Sequence, residues 1–247
     1  MSYALITGAS KGIGKALSYE LAKRKFDLLL IARSESLLKE LTKNIEKDYH
    51  VDVKYLVSDI TLPRSPEKIA NWCSENKFSL KILVNNAGFG LQGLFDQLSI
   101  DEQMNMMQLN MASLVSLTYH LLPNLKKNAQ AYILNISSTA AYQAVPGLNI
   151  YAATKSFVLS FSRGLRNELS KTTVSVSCVC PGPTDTHFTE RAKMLKLHER
   201  TKKFFMKPEV VAKIAVKGMF NGKAEIIPGL LNKISSLASY YFPKKFL

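Results

Sequence analysis

Cysteine and long apolar stretches are both scarce in this sequence. Its 247 residues include three cysteines, Cys73, Cys178 and Cys180. Cys178 and Cys180 lie two residues apart on a predicted strand, a spacing that suits neither a common disulfide nor a zinc knuckle. We therefore expect buried free thiols in a reducing compartment, and no metal site. No apolar run approaches the ~18 residues of a membrane-spanning helix. The N-terminus lacks the features of a signal peptide, so we expect a cytoplasmic protein.

Acidic residues are also few, since 19 Asp and Glu face 33 Lys and Arg and give a formal net charge of +14. The excess is concentrated at the C-terminal end, where residues 190–247 contain 13 Lys and Arg but 4 Glu. A basic surface attracts phosphates, acidic proteins, anionic lipids or nucleic acids. The basic residues form no recognisable nucleic-acid-binding module, so we predict no nucleic-acid partner.

No Pro/Ser-rich linker, low-complexity tract or internal repeat divides the chain, so we expect one domain over residues 1–247. Apolar segments alternate with segments of helical periodicity, which favours an α/β protein with a parallel sheet covered on both faces. The predicted strands are Tyr3–Ile6, Asp27–Ala32, Val51–Val57, Ile82–Val84, Ala131–Ser137, Val174–Val179 and Glu225–Ile227. The predicted helices are Ala16–Ala22, Ser34–Tyr49, Pro66–Glu75, Ile100–Leu122, Tyr151–Leu169, Glu190–Lys207, Pro208–Phe220 and an amphipathic tail from Leu230.

A glycine-rich turn follows the first predicted strand. Thr7–Gly14 reads TGASKGIG, and helical periodicity begins directly after it. Glycines let the backbone approach a phosphate closely, and a helix N-terminus offers unpaired N–H groups. The sequence therefore predicts a dinucleotide phosphate site here.

The end of the second predicted strand indicates which dinucleotide is bound. An acidic residue at this position binds the ribose 2′-hydroxyl of NAD, whereas a nearby Arg accommodates the 2′-phosphate of NADP. This chain has Ala32 and then Arg33, and Lys11 lies in the glycine turn. Both cations favour NADP(H). Asp59, after the third strand, is either a partner for the adenine amino group or an ordinary turn aspartate.

A tyrosine and a lysine stand four residues apart on a predicted helix, so Tyr151 and Lys155 share one face. A free tyrosine is a poor base at neutral pH because its pKa is ~10. A nearby cation favours the phenolate and lowers that pKa. Such a phenol can exchange a proton with an alcohol or carbonyl oxygen. Ser138, which follows a predicted buried strand, could hydrogen-bond the same oxygen.

Together these motifs resemble the short-chain dehydrogenase/reductase family, in its compact single-domain branch. The resemblance rests on a TGxxxGxG motif, an NNAG motif and a PGxxxT loop, which are Thr7–Gly14, Asn85–Gly88 and Pro181–Thr186. The family's catalytic tetrad is matched in order and spacing by Asn110, Ser138, Tyr151 and Lys155. The resemblance implies a Rossmann-like, doubly wound sheet of seven parallel strands with helices on both faces.

The resemblance also implies a role for each site residue. Tyr151 is the general acid/base, Lys155 lowers its pKa and binds the nicotinamide ribose, and Ser138 steadies the substrate oxygen. Asn110 holds a water that links Lys155 to solvent, and Thr186 holds the nicotinamide carboxamide. The predicted cofactor-binding residues are Gly8, Ser10, Lys11, Gly12, Ile13, Gly14, Arg33, Asp59, Ile60, Asn86, Ala87, Gly88, Tyr151, Lys155, Pro181, Gly182, Thr184 and Thr186. The predicted substrate contacts are Thr139, Gln143, Leu148, Phe188 and Met194. Phe188 and Met194 belong to a predicted substrate-covering segment at residues 186–207.

Several functions remain open at this point. The first is an NADP(H)-dependent oxidoreductase that interconverts a carbonyl and a secondary alcohol. The second is a reductase of 3-oxoacyl groups on coenzyme A or an acidic carrier protein, which is suggested by a cationic stripe at Lys193, Lys196, Arg200, Lys203 and Lys207. The third is a non-enzymatic NADP-binding sensor or scaffold, against which the complete tetrad argues.

Two further interpretations concern partners. The resemblance implies a homodimer or homotetramer formed through the helices that carry Asn110 and Tyr151, with Phe157, Phe161 and Leu165 as candidate apolar contacts. The tail at residues 228–247 covers the active site, joins subunits, lies on a membrane surface or simply packs on its own domain. Ordinary packing is favoured over a peripheral membrane contact.

Overall fold

Seven parallel strands form one sheet in the computed structural model, which describes residues 2–186 and 205–241. They are β1 (Tyr3–Thr7), β2 (Asp27–Ala32), β3 (Val53–Val57), β4 (Leu80–Asn85), β5 (Ala131–Ile136), β6 (Val174–Val179) and β7 (Glu225–Ile226). Their order in the sheet is β3-β2-β1-β4-β5-β6-β7, and every neighbouring pair is parallel. The predicted Rossmann-like doubly wound sheet is therefore confirmed. The order reverses beside β1, which opens a crevice at the carboxyl ends of β1 and β4.

Helices cover both faces of this sheet. The helices of the described residues are α1 (Gly12–Ala22), α2 (Glu35–Tyr49), α3 (Ser65–Glu75), α4 (Ile100–Met107), α5 (Ser113–Lys126), α6 (Asn149–Glu168), α7 (Pro208–Phe220) and α8 (Leu230–Tyr241). One apolar core joins the sheet to α1, α2 and α7, and a second joins it to α3, α5 and α6. Successive strand residues serve opposite cores, with Ala4 and Ile6 in the first and Leu5 in the second. Strands buried on both faces therefore read as continuous apolar runs.

Two helix predictions need correction. The helix predicted over Ile100–Leu122 is interrupted by a π-helical turn at Gln108–Ala112, after which α5 continues to Lys126. The helix predicted to end at Lys207 does not include its last three residues. Met206 pairs with Thr184 in an isolated bridge, and Lys207 is extended because the following proline disfavours the helical conformation there. The rest of that prediction lies outside the described residues.

The prediction of buried free thiols is confirmed, because all three cysteines are free and buried. The reducing compartment stays a prediction. None of the helices within residues 2–186 and 205–241 combines the length and apolar character needed to cross a bilayer.

Two helical glycines provide a test of this packing. Apart from the adjacent residues and the backbone of α6 itself, no atom lies within 4 Å of the position that a Cβ on Gly164 of α6 would take. Gly164→Ala should therefore raise the free energy of unfolding by about 0.5–1 kcal/mol, because alanine loses less backbone entropy on folding. Gly218→Ala is the matched change on α7, where the new Cβ would lie 2.6 Å from Ile226 Cδ1. It should lower the free energy of unfolding in the same urea titration. Stabilisation by both changes would contradict the packing of α7 against β7.

Candidate active site

An open cleft of about 1450 Å³ runs along the carboxyl edge of the sheet. Of the predicted cofactor-binding residues, all but Gly14 line it. Ser138, Thr139, Gln143 and Leu148 line it as well, whereas Phe188 and Met194 lie outside the described residues. The volume exceeds the roughly 300–1,000 Å³ of a pocket for one small ligand. The cleft therefore has room for a dinucleotide and a substrate together.

The glycine turn at one end of the cleft depends on close backbone contacts. Gly8 and Gly12 have φ angles of 63° and 54°, a region that favours glycine. A Cβ on Gly14 would lie 2.3 Å from the Gly8 carbonyl oxygen, so only glycine lets α1 start this close to the turn. Lys11 caps α1 without a side-chain hydrogen bond, so the first N–H groups of the helix have no side-chain cap. This arrangement fits a bound pyrophosphate.

Hydrogen bonds tie this turn to the end of β4. Thr7 Oγ1 accepts bonds from the backbone N–H groups of Asn86, at 3.0 Å, and Ala87, at 3.1 Å. The Asn86 side chain donates to the carbonyl oxygens of Thr7 and Gly8. Asn85, by contrast, faces the core, where its Nδ2 donates to Thr118 Oγ1 and Asn135 Oδ1. Within the NNAG motif, Asn85 therefore packs inside the sheet, whereas the other three residues line the cleft.

Arg33 and Asp59 face each other across the adenosine end of the cleft. Arg33 Nη1 lies 3.5 Å from Asp59 Oδ2, and 59% of the Arg33 side chain is exposed. Asp59 Oδ1 also accepts bonds from the backbone and the hydroxyl of Thr61. Burial raises the pKa of the Asp59 carboxyl, but the bonds from Thr61 and the Arg33 cation outweigh it and hold the pKa below its usual range. Asp59 thus stabilises its own turn, and its contact with adenine stays a prediction.

At the other end of the cleft, Tyr151 and Lys155 project from α6 beside the tip of β5. Both side chains are buried, and Lys155 Nζ lies 5.8 Å from the centre of the Tyr151 ring. Lys155 Nζ donates to the Ile136 carbonyl oxygen at 2.9 Å, and Ser137 Oγ donates to the Lys155 carbonyl oxygen at 2.7 Å. The Ser138 hydroxyl lies close enough to the Tyr151 phenol to lower its pKa. The structure therefore brings Ser138, Tyr151 and Lys155 together, as predicted.

Burial is the largest influence on both ionisable groups of this site. It raises the pKa of Tyr151 to about 12, against a lowering by the Ser138 hydroxyl. It lowers the pKa of Lys155 to about 8. At pH 7 the phenol therefore carries its proton and Lys155 remains mainly an ammonium. The predicted lowering of the Tyr151 pKa by Lys155 is not found, because burial raises this pKa and Lys155 is not among the groups that shift it.

Asn110 lies in the π-helical turn, fully buried and behind the cleft wall. Its Nδ2 donates to the Phe89 carbonyl oxygen and to Thr154 Oγ1, and its Oδ1 accepts from the Phe89 N–H. A Cβ on Gly88 would lie 3.0 Å from Asn110 Oδ1 and 3.4 Å from Lys155 Nζ. The Asn110 side chain thus fixes the loop after β4 against α6, and the predicted water relay stays a prediction.

The loop after β6 closes back over the glycine turn. A Cβ on Gly12 would lie 3.1 Å from the Thr186 methyl group. Asp185 N–H donates to the Met206 carbonyl oxygen and Met206 N–H to that of Pro183, both at 3.0 Å. The residues on either side of segment 187–204 are therefore held together at the cleft. The predictions for Phe188 and Met194, and for the cationic stripe apart from exposed Lys207, fall outside the described residues.

The sequence left open whether the tail covers the active site, and α8 does form part of it. A Cβ on Gly182 would lie 2.4 Å from Asn232 Oδ1, so α8 rests directly on the loop after β6. Ser235 and Ser236 line the cleft. Asn105, Leu109, Tyr142, Val145 and Phe205 also line it and were not predicted. Within the described residues, no three His, Cys, Asp or Glu side chains are grouped as a metal ion would require.

A doubly wound parallel sheet, a glycine turn after β1 and a neighbouring Tyr, Ser and Lys together define a class of dinucleotide-binding oxidoreductases. The chain belongs to the short-chain dehydrogenase family, because residues 2–195 match the family described as short chain dehydrogenase.

Two curated relatives and one solved structure show which members of this family the chain resembles. The Very-long-chain 3-oxoacyl-CoA reductase-A of Danio rerio is 34% identical over 203 residues, which are 81% of this chain and 61% of that protein. The NADP-dependent 3-hydroxy acid dehydrogenase of Schizosaccharomyces pombe is 34% identical over 188 residues, 75% of this chain and 72% of that protein. A short-chain dehydrogenase from Sphingobium yanoikuyae in complex with NADPH superposes with a TM-score of 0.87 at 30% identity, over 98% of this chain and 93% of that one. The chain spans less than two thirds of the Danio rerio protein.

The lowered pKa of Lys155 predicts a specific pH dependence. The ammonium is present below about pH 8 and is lost as the pH rises through that value. If this cation binds the cofactor, kcat/KM for NADPH, which reports groups of the unliganded enzyme, should fall above about pH 8. Lys155→Arg keeps a cation at every accessible pH, so its profile, at whatever activity it retains, should lack this decline. A wild-type profile that stays level to the onset of unfolding would contradict the assignment.

Proposed function

We propose that the protein is an NADP(H)-dependent oxidoreductase that reduces a carbonyl to a secondary alcohol. One observation carries the proposal: Ser138, Tyr151 and Lys155 meet at one end of a cleft whose other end holds the glycine turn and Arg33. A cofactor laid between these ends would place its nicotinamide beside the phenol. The parts therefore stand in the order that hydride transfer followed by proton transfer requires.

The chain's own residues supply the proton chemistry. A bound nicotinamide cofactor would supply the hydride. Ser138 and Tyr151 would hydrogen-bond the carbonyl oxygen, and the phenol would give its proton to that oxygen as charge develops on it. Burial keeps the phenol protonated at neutral pH, which is the form needed for reduction. The Lys155 ammonium, fixed to the Ile136 carbonyl, would stabilise the phenolate that remains.

The proposed preference for NADP(H) rests on Arg33. The guanidinium is largely exposed and its ion pair with Asp59 is long, so it can turn toward a 2′-phosphate at little energetic cost. Ala32 leaves no carboxylate at the strand end to bind a ribose 2′-hydroxyl. The NADPH bound by the Sphingobium yanoikuyae protein supports the same choice.

For the substrate, we propose a 3-oxoacyl thioester in preference to a small free ketone. The names of the Danio rerio and Schizosaccharomyces pombe relatives describe 3-oxoacyl and 3-hydroxy acid chemistry, which involves a carbonyl at the same carbon. The volume of the cleft, about 1450 Å³, and the basic residues in the sequence of segment 187–204 are consistent with a large, anionic substrate. We also propose a homodimer or homotetramer, because α5 and α6 expose Tyr119 and a stacked Phe157–Phe161 pair. Localisation in the cytoplasm stays a proposal.

Tyr151→Phe tests the proposed chemistry, because it removes one oxygen and leaves the buried ring in place. We expect kcat for NADPH-dependent reduction to fall by about 10²–10⁴-fold. The dissociation constant for NADPH should change little. The substrates should be 3-oxoacyl-CoA thioesters and free ketones of matched chain length, followed by NADPH absorbance. Turnover retained in the variant would remove Tyr151 from its role. Tight NADPH binding by the wild type without turnover of any carbonyl would favour a non-enzymatic sensor.

Arg33→Ala tests the cofactor preference. The lost charge-assisted bonds to a 2′-phosphate, worth about 1.5–3 kcal/mol, should weaken NADPH binding by roughly 10–100-fold. NADH binding should be unaffected, because NADH has no 2′-phosphate. Lys39→Ala, which removes another exposed cation from the nearby helix α2, is the control and should alter neither. Equal weakening of both cofactors, or a wild-type preference for NADH, would refute the assignment.

A further inference from the structure

The first turns of helix α8 place Asn232 and Ser236 against the protein and Leu230, Leu231 and Ile234 toward solvent. Asn232 rests on Gly182 and donates to the Pro228 carbonyl oxygen at 2.7 Å, and Ser236 is buried. On the outer side, Leu230 and Leu231 are each 74% exposed and Ile234 is 55% exposed. We call Leu230, Leu231 and Ile234 the apolar face of α8. An exposed cluster of large apolar side chains on one helix face indicates an interaction surface.

The charges around this face identify the chemistry of its partner. Lys233 is exposed between Leu231 and Ile234. From Ile226 to Leu247 the chain contains three lysines and no Asp or Glu. An apolar helix face flanked by lysines suits the boundary between the headgroups and acyl chains of an anionic bilayer, where each cation adds about 1 kcal/mol of attraction.

A second copy of the chain suits this face less well. Two-fold pairing through α8 would bring the Lys233 side chains of both copies together. The same lysine-bearing, acid-free segment would meet itself across the interface. Like charges placed opposite each other oppose association. An anionic surface instead complements both the apolar and the basic part of α8.

We propose that α8 docks on the surface of an anionic phospholipid bilayer through its apolar face and Lys233. Ser235 and Ser236 line the cleft from the same helix, so docking would bring this side of the cleft close to the bilayer. Substrates that partition into membranes could then enter the cleft from the bilayer. This inference goes beyond the proposed oxidoreductase activity, and the binding experiment tests it without any turnover.

Vesicle flotation of the full chain tests the proposal. The protein should float with vesicles of equimolar phosphatidylcholine and phosphatidylglycerol, and much less with phosphatidylcholine alone. Replacing the apolar face by Leu230→Gln, Leu231→Gln and Ile234→Gln together should weaken binding to the anionic vesicles by at least about tenfold. Val57→Gln, on the edge strand at the opposite side of the sheet, is the matched control and should bind as the wild type does.

Lys233→Glu is a second variant, which changes one exposed side chain. It should weaken binding to anionic vesicles by about tenfold or more. High salt should also weaken the binding of the wild-type protein to these vesicles. NADPH affinity should be unchanged in both α8 variants.

Three outcomes would overturn the proposal: no flotation of the wild type, equal flotation with neutral and anionic vesicles, or retained flotation of the triple variant. A lower molecular mass of the triple variant by light scattering would assign the face to a subunit contact instead. Loss of NADPH binding in that variant, with wild-type flotation in Lys233→Glu, would assign it to packing within the chain.

Discussion

The bond from the Lys155 ammonium to the Ile136 carbonyl oxygen is the interaction on which the rest of the site depends. A buried ammonium is destabilising unless its donors are satisfied. One of the three donors of Lys155 bonds to the last carbonyl of β5, and this bond fixes α6 relative to the sheet. Ser137 reinforces that position by donating to the Lys155 backbone. Because Tyr151 lies one turn earlier on the same helix, the position of the phenol follows from the position of the lysine.

The same constraint explains the buried polar groups behind the cleft. Asn110 holds the backbone of Phe89 through the oxygen and the nitrogen of its side-chain amide. Gly88 therefore passes between Asn110 and Lys155 with little space to spare. Asn135 donates to Ser162 on α6 and accepts from Asn85 on β4. Strands β4 and β5 and helix α6 are therefore joined by directional bonds as well as by apolar packing. Such bonds specify one arrangement, where apolar packing alone tolerates several.

The sheet, the glycine turn and the Tyr–Lys pair could be predicted from the sequence because each is encoded by neighbouring residues. Apolar runs mark the strands, Gly14 is required by local crowding, and Tyr151 and Lys155 are fixed by helical spacing. The π-helical turn around Asn110 has no such local pattern, and neither has the contact of Asn232 with Gly182. The helix prediction was wrong at residues 205–207 because Thr184, in the loop after β6, pairs with Met206. The pKa values of Tyr151 and Lys155 depend on burial, which spacing along a helix does not specify.

The bridge between Thr184 and Met206 has a consequence for how this architecture can diversify. It holds together the residues on either side of segment 187–204, so the chain between them begins and ends at fixed positions. The entropy of closing a loop grows only slowly with its length, by about 0.6 kcal/mol for each doubling. Insertions, deletions or complete replacement of the sequence between these positions would therefore leave Tyr151, Lys155 and the glycine turn in place. The chain between Thr184 and Met206 can therefore be exchanged, in evolution or by an engineer, while the described residues of the cleft keep their positions.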